Sequence, residues 1–164
     1  MTVEVSIASI EDIAEISAMF ERSYSVLLAP DYEGALLRVA LPIMGRARPD
    51  LVTSGRFFVV RDGARLLGAG GWSLHAPGNP NDVSHAHVRH VATDPSAARM
   101  GVGSALLQAI FEQAKAENVP RLMAYSTLTA EAFYARHGIQ KRRDITVPLG
   151  GKIMFPCVEM ITEL

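Results

Sequence analysis

Apolar and polar residues alternate over Val3–Ile7, which predicts a first strand. Ser9, with Asp12 three residues on, is a helix-start signal, and Ile10, Ile13, Ile16, Met19 and Phe20 then recur at helical spacing. This helix is expected to run to about Leu28, before Pro30. A second helix, about Tyr32–Ile43, carries Leu36, Leu37 and Leu41, and the Pro42–Pro49 region with Gly45 ends it. Two β-rich runs, Phe57–Arg61 and Arg65–Ser73, flank Asp62-Gly63, a strong hairpin signal. Ala76–Asp82 reads as a loop and His85–Thr93 as the next strand. Gly101–Glu117 reads as a helix with Leu106, Leu107, Ile110, Phe111 and Ala114 on one stripe, stopped before Pro120. Leu122–Ser126 is a short strand, and Thr129–His137 a short helix closed by Gly138. Ile145–Leu149 and Val158–Leu164 are the last strands, joined by a loop containing Gly150-Gly151.

The order is strand, two helices, three strands, helix, strand, helix, two strands. That is a mixed α/β (α+β) arrangement, expected as one domain over residues 1–164. It lacks the regular alternation of a doubly wound dinucleotide fold.

Composition narrows the functional classes. Hydrophobic residues make up 49% and charged residues 20%, enough for a packed core. Sixteen basic and 17 acidic residues give a net charge of −1, so no nucleic-acid surface is expected. The only cysteine, Cys157, excludes an intrachain disulfide and is expected as buried filler. No signal-peptide pattern and no membrane-spanning apolar run is present, so the expected location is cytoplasmic.

The run Thr93-Asp94-Pro95-Ser96-Ala97-Ala98-Arg99-Met100-Gly101-Val102-Gly103-Ser104 follows a strand and opens a helix. The first N–H groups of a helix lack internal partners, and its dipole is positive at that end. Glycines let an anion approach the backbone, Ser104 adds a hydroxyl and Arg99 a charge. The turn suits a pyrophosphate, although a Gly-x-Gly before a helix is common. It has neither the third glycine of a dinucleotide fingerprint nor the Lys-Ser/Thr end of a P-loop.

Downstream stands Ala130-Glu131-Ala132-Phe133-Tyr134-Ala135-Arg136-His137-Gly138-Ile139. Together the two elements resemble the GCN5-related N-acetyltransferase (GNAT) superfamily. There a strand enters a helix through a Q/R-x-x-G-x-G/A turn, and a short A-x-x-F-Y helix follows about 30 residues later. The chain departs from the pattern at Ala98, where the family has Gln or Arg, and at Thr127, where many members have Asn.

The resemblance implies a mostly antiparallel central sheet of about seven strands with about four helices. It implies acetyl transfer from acetyl-CoA to a primary amine of a small molecule or peptide; a non-catalytic acyl-CoA sensor on the same fold is the alternative. The pantetheine arm would pair with Val91, Ala92 and Thr93 on a strand splayed at a bulge. The pyrophosphate would lie on Arg99, Met100, Gly101, Val102, Gly103 and Ser104. Thr127 would reach the pantetheine, Phe133 and Tyr134 would flank the thioester, and Arg136 would approach the adenosine. Tyr134 would act as general acid toward the leaving thiolate, or merely pack its helix on the sheet. Many relatives pair as homodimers, and the apolar Val158–Leu164 strand is a possible contributor.

For the base, His87 and then His85 are the candidates. They lie two apart on one predicted strand and so share a face, with Arg89 continuing it unless a bulge interrupts and His90 on the other. The same residues are equally readable as surface or packing positions. A zinc site from His85, His87 and His90 is disfavoured by that orientation and by the missing carboxylate. Trp72 reads as core or as a pocket wall, and His75 as loop surface. Lys141-Arg142-Arg143 reads as a solvated strand start. The Tyr24–Tyr32 link is expected to shape the acceptor pocket, with Tyr24, Asp31, Tyr32 and Glu33 a conceivable cation cluster.

Overall fold

The computed structural model describes residues 3–164. Strand β1 (Glu4–Ile7) leads through a short 3₁₀ turn into α1 (Ile13–Leu27). The Ser9 N–H donates to Asp12 Oδ2 at 2.8 Å, which holds that turn as the sequence signal predicts. Then come α2 (Gly34–Met44), α3 (Pro49–Val52), β2 (Phe57–Asp62), β3 (Arg65–Ser73) and β4 (Ala86–Thr93). The rest is α4 (Val102–Ala116), β5 (Arg121–Thr127), α5 (Glu131–Arg136), β6 (Gln140–Leu149) and β7 (Ile153–Glu163).

The seven strands form one sheet in the order β1-β2-β3-β4-β5-β7-β6. Every pairing is antiparallel except β4 with β5. One sheet face packs on α1 and α2 through Ile16, Met19, Phe20, Phe57, Val59 and Phe155. The other packs on α4 through Leu106, Leu107, Ile110, Phe58, Val60 and Leu122. The continuous run Phe57–Val60 follows from this: β2 is buried on both faces, so alternate residues enter alternate cores.

Three differences from the expected elements have local causes. α3 is a single turn, too short for a periodic signal, although Pro49 at its first position is a helix-start residue. The last two strands extend far past the apolar segments. β6 is the sheet edge, and its first half is solvated and charged, so hydrophobicity does not mark it. α2 carries Pro42 within its last turn, where the proline removes one hydrogen bond without ending the helix.

β7 lies between β5 and β6, so Val158–Ile161 is paired along both edges. The outer strands of the sheet are β1 and β6. No helix among the described residues is long and apolar enough to cross a membrane.

Candidate active site at the splayed strands

β4 and β5 pair only at Ala86 with Leu122 and His87 with Met123. Beyond those two positions they separate and open a cleft in the middle of the sheet. A bulge on the other side of β4 accompanies the separation. Ala69 faces Ala92 and Gly71 faces Arg89, so His90 and Val91 together oppose Gly70. His90 takes a left-handed backbone, φ 54°. A Cβ at position 70 would stand 2.8 Å from Val91 Cα, so the bulged strand passes there only over glycine.

The bulge corrects the expected facing of the histidines. Strict alternation sends His90 to the α4 side, away from Arg89. It instead stacks on Phe20 of α1, ring centroids 5.4 Å apart, with Nδ1 3.4 Å from the Tyr24 hydroxyl. Val91 turns to the α4 core in its place. His85 lies just outside β4, half-buried beside Ser84, so the expected facing pair on one strand is not formed. His87 is 2% exposed, lies edge-on to Tyr125, and its Nδ1 is buried without a partner. Burial first and the Arg89 charge second push His87 down to about 4; burial, Arg89 and Arg48 do the same to His90. Both imidazoles are neutral near pH 7.

Below the cleft, Asp94 starts the turn into α4. Its carboxylate accepts from the Ser96 N–H at 3.0 Å and from Arg22 Nη2 at 2.8 Å. Burial opposes its ionised form, but the hydrogen bonds from Ser96 and Arg22 outweigh it and hold the carboxyl at about 2. Gly101 caps α4 in a left-handed conformation, φ 79°, and the first intrahelical bond of α4 runs from the Ala105 N–H to Gly101 O. The N–H groups of Val102, Gly103 and Ser104 are therefore the free donors of this helix start. Arg99, Met100 and Ser104 are exposed around it, whereas the Val102 side chain is core. Ala92 is also core, and Val91 and Thr93 are half-buried.

α5 closes the cleft. Phe133 and Tyr134 meet edge to face at 5.4 Å, and Tyr134 is 6% exposed, its phenol pushed above its ordinary value by burial. Tyr24 is raised by burial and by the neighbouring Tyr134, so two buried phenols and the half-buried His90 form one group. Ser104 Oγ lies 2.9 Å from His137 Nε2, and His137 Nδ1 lies 2.9 Å from Phe133 O. With the Nδ1 proton on the carbonyl, Ser104 donates to His137. This contact joins α4 to α5. Thr127 Oγ1 accepts from the Ala130 N–H at 3.2 Å and keeps its own proton to donate. Arg136 is exposed in the last turn of α5.

This arrangement is a splayed parallel pair, an anion-ready helix start and a Phe-Tyr helix beside both. A family model for the Acetyltransferase (GNAT) family matches residues 17–139. The chain belongs to that family. Among solved structures, a GCN5-related N-acetyltransferase from Rhodopseudomonas palustris superposes with a TM-score of 0.79 at 21% identity, covering 100% of this chain and 97% of that one. The PaiA N-acetyltransferase from Thermoplasma acidophilum, solved with coenzyme A, gives 0.76 at 14% identity and covers both chains fully. The N-acetyltransferase from Staphylococcus aureus Mu50 gives 0.69 at 16%, covering 99% of each. No curated protein sequence matches.

Other residues of this GNAT chain fall into structural roles. Trp72 is core: Nε1 donates to Gln113 Oε1 at 2.7 Å and the ring is 1% exposed. Burial raises the Cys157 thiol to about 12, as suits a filler. Arg143 pairs with the buried Glu159 at 3.0 Å. The α1–α2 link packs on β7 and on the loop before α5. Tyr32 donates to Pro156 O at 2.7 Å, accepts from the Leu128 N–H at 2.8 Å, and stacks on Phe155. Asp31 accepts from Thr129, so the conceivable cation cluster is dispersed. Among the described residues no three His, Cys, Asp or Glu side chains converge on a metal position.

Sequence reasoning missed His90, Arg22 and His137 as members of this site. The one legible signal was His137 four residues after Phe133, which puts both on one helix face.

Proposed function

We propose that the protein transfers an acetyl group from acetyl-CoA to a primary amine of a small molecule or peptide. The observation that carries this is the departure of β4 from β5 after His87, which leaves that edge of Val88–Thr93 without a strand partner and leads to the free N–H groups of α4. Such an edge suits the amide-rich pantetheine arm, and a positive helix start suits a pyrophosphate. A relative of the same fold was solved with coenzyme A, which agrees with this reading.

Val91, Ala92 and Thr93 would hold the arm by backbone. Arg99, Met100 and the N–H groups of Gly101–Ser104 would hold the pyrophosphate, with Arg136 toward the adenosine and Thr127 offering a hydroxyl proton. Acetyl-CoA supplies an acyl group activated as a thioester. The amine nitrogen bonds to the acetyl carbon and the carbon–sulfur bond breaks. One amine proton goes to water, the sulfur gains a proton from Tyr134, and water returns a proton to the Tyr134 phenolate. Burial raises both a phenol and a thiolate, so the Tyr134 proton is better matched to a sulfur held in the same apolar wall than to one in water.

His87 is a poor proton store near neutrality, because burial and Arg89 keep it neutral. His85 is half-exposed at the far end of β4. We assign His90 and His87 to accepting hydrogen bonds, with the amine entering the cleft as its free base.

The test is thiol release from acetyl-CoA over a panel of amines, with Tyr134→Phe alongside. Release with one amine class, strongly reduced in the variant, supports the reading. Thermal stabilisation by acetyl-CoA without release on any amine would instead support an acyl-CoA sensor.

A further inference from the structure

Arg89 is 5% exposed, and no carboxylate among the described residues forms an ion pair with it. A guanidinium carries several N–H donors. Arg89 uses one in a protein hydrogen bond, from Nη1 to Ser73 Oγ at 3.0 Å. Ser73 in turn donates to His75 O at 2.7 Å, so its hydroxyl is oriented to accept from Arg89. The nearby carboxylate, Asp50, is engaged by Arg48, which reaches both of its oxygens at 3.2 Å. His87, on the same strand face, is neutral. Arg89, Arg48 and Asp50 together leave one net positive charge. Buried cations are ordinarily paired, because an uncompensated one is costly.

Position gives this charge a meaning. Arg89 immediately precedes the bulge at His90, on the sheet face covered by α1. It lies two residues past the last pairing of β4 with β5 and on the opposite side of the bulge from α4. If the thioester lies at Val91, Arg89 is on the acceptor side of it. A single net charge suits a monoanion better than a dianion, and the flat guanidinium fork matches a carboxylate.

We propose that Arg89 binds the carboxylate of the acceptor, so that the amines this protein acetylates are amino acids or peptides presenting a carboxylate a few bonds from the amine. The proposal rests on the transfer reading above, and it names the substrate class of that site.

The experiment compares acids with their amides on the intact protein. α-, β- and γ-amino acids are assayed for thiol release against the corresponding carboxamides, with rates normalised to the free-base amine. The expected result is a preference of about tenfold or more in kcat/KM for one acid over its amide, carried by KM. Arg89→Gln removes that preference and leaves the Kd for acetyl-CoA unchanged. Equal use of acid and amide by the wild type, or an unchanged ratio in Arg89→Gln, would overturn the proposal. So would a preference for O-phosphoethanolamine over every carboxylate.

A second measurement does not need turnover. N-acetyl amino acids, as product mimics, are titrated against their N-acetyl amides by calorimetry. Binding of an acid and not its amide, lost in Arg89→Gln, supports the site even if no amine is acetylated, and in that case only the transfer reading falls. Arg89→Met separates a structural role. An unpaired buried charge predicts an unchanged or higher melting temperature for the ligand-free variant. A lower one, together with an unchanged acid-to-amide ratio, makes the guanidinium structural.

Discussion

Gly103 in the first turn of α4 faces the ring of Phe133 in α5 so closely that a Cβ on residue 103 would stand 2.9 Å from two ring carbons. The second glycine of the turn therefore admits an aromatic side chain from the next helix as well as leaving the backbone open. Gly103→Ala is expected to push Phe133 aside at a cost of about 1–3 kcal/mol. Because Phe133 and Ser104 both contact His137, the same variant should weaken acetyl-CoA. Thermal melts and a calorimetric Kd check this; an unchanged Kd would remove the α4–α5 contact from cofactor binding.

Tyr134→Phe keeps the buried ring and removes the proton. Turnover should fall by roughly a hundredfold, the scale of general acid catalysis. The Kd for acetyl-CoA should stay within about twofold, since the charge-assisted contacts are proposed at Arg99–Ser104. Steady-state kinetics beside equilibrium binding separate the two. Unaltered turnover would take Tyr134 out of the chemistry.

The pH dependence divides into two windows. His87 and His90 titrate at about 4 in the folded protein and near ~6.5 unfolded, so between those values the unfolded chain binds more protons. Stability should be full above about 6.5 and fall as pH drops toward 4. For His87 the loss is at most about 3 kcal/mol. Asp94 acts lower: its contribution is present above its ordinary carboxylate value and lost as pH falls through about 2. Melting temperatures of wild type and His87→Gln from pH 7 to 4 test the first window, and the variant should show the shallower slope. Activity should show no inflection near 6.5 and should rise with pH toward the pKa of the acceptor amine.

Tyr32→Phe removes two hydrogen bonds that pin the α1–α2 link, one to β7 and one to the loop before α5. The Leu128 N–H and Pro156 carbonyl then lose their shared partner. A destabilisation of about 2 kcal/mol is expected. On the proposed reading this link walls the acceptor side, and KM for the amine should then rise more than the Kd for acetyl-CoA does. Denaturant melts and acceptor titrations check both.

The sequence by itself determined the elements whose signals are local. Alternation at Val3–Ile7, the helical stripe from Ile13 to Phe20, the Asp62-Gly63 hairpin and the Gly138 stop all form where the pattern puts them, because each depends on neighbours within a turn or a strand. The Gly101-x-Gly103 turn and the Phe133-Tyr134 helix were legible for the same reason, and with them the family. Tertiary structure alone decided which face the histidines occupy. The bulge at His90 exists because Gly70 on another strand allows close approach, and alternation cannot register a residue that far away. It also decided that Ser104 bonds His137 and that His87 is neutral, since burial comes from packing rather than from residue type. The isolation of Arg89 is of the same kind: its sequence neighbours are plain, and only the fold shows a buried cation that no carboxylate among the described residues pairs.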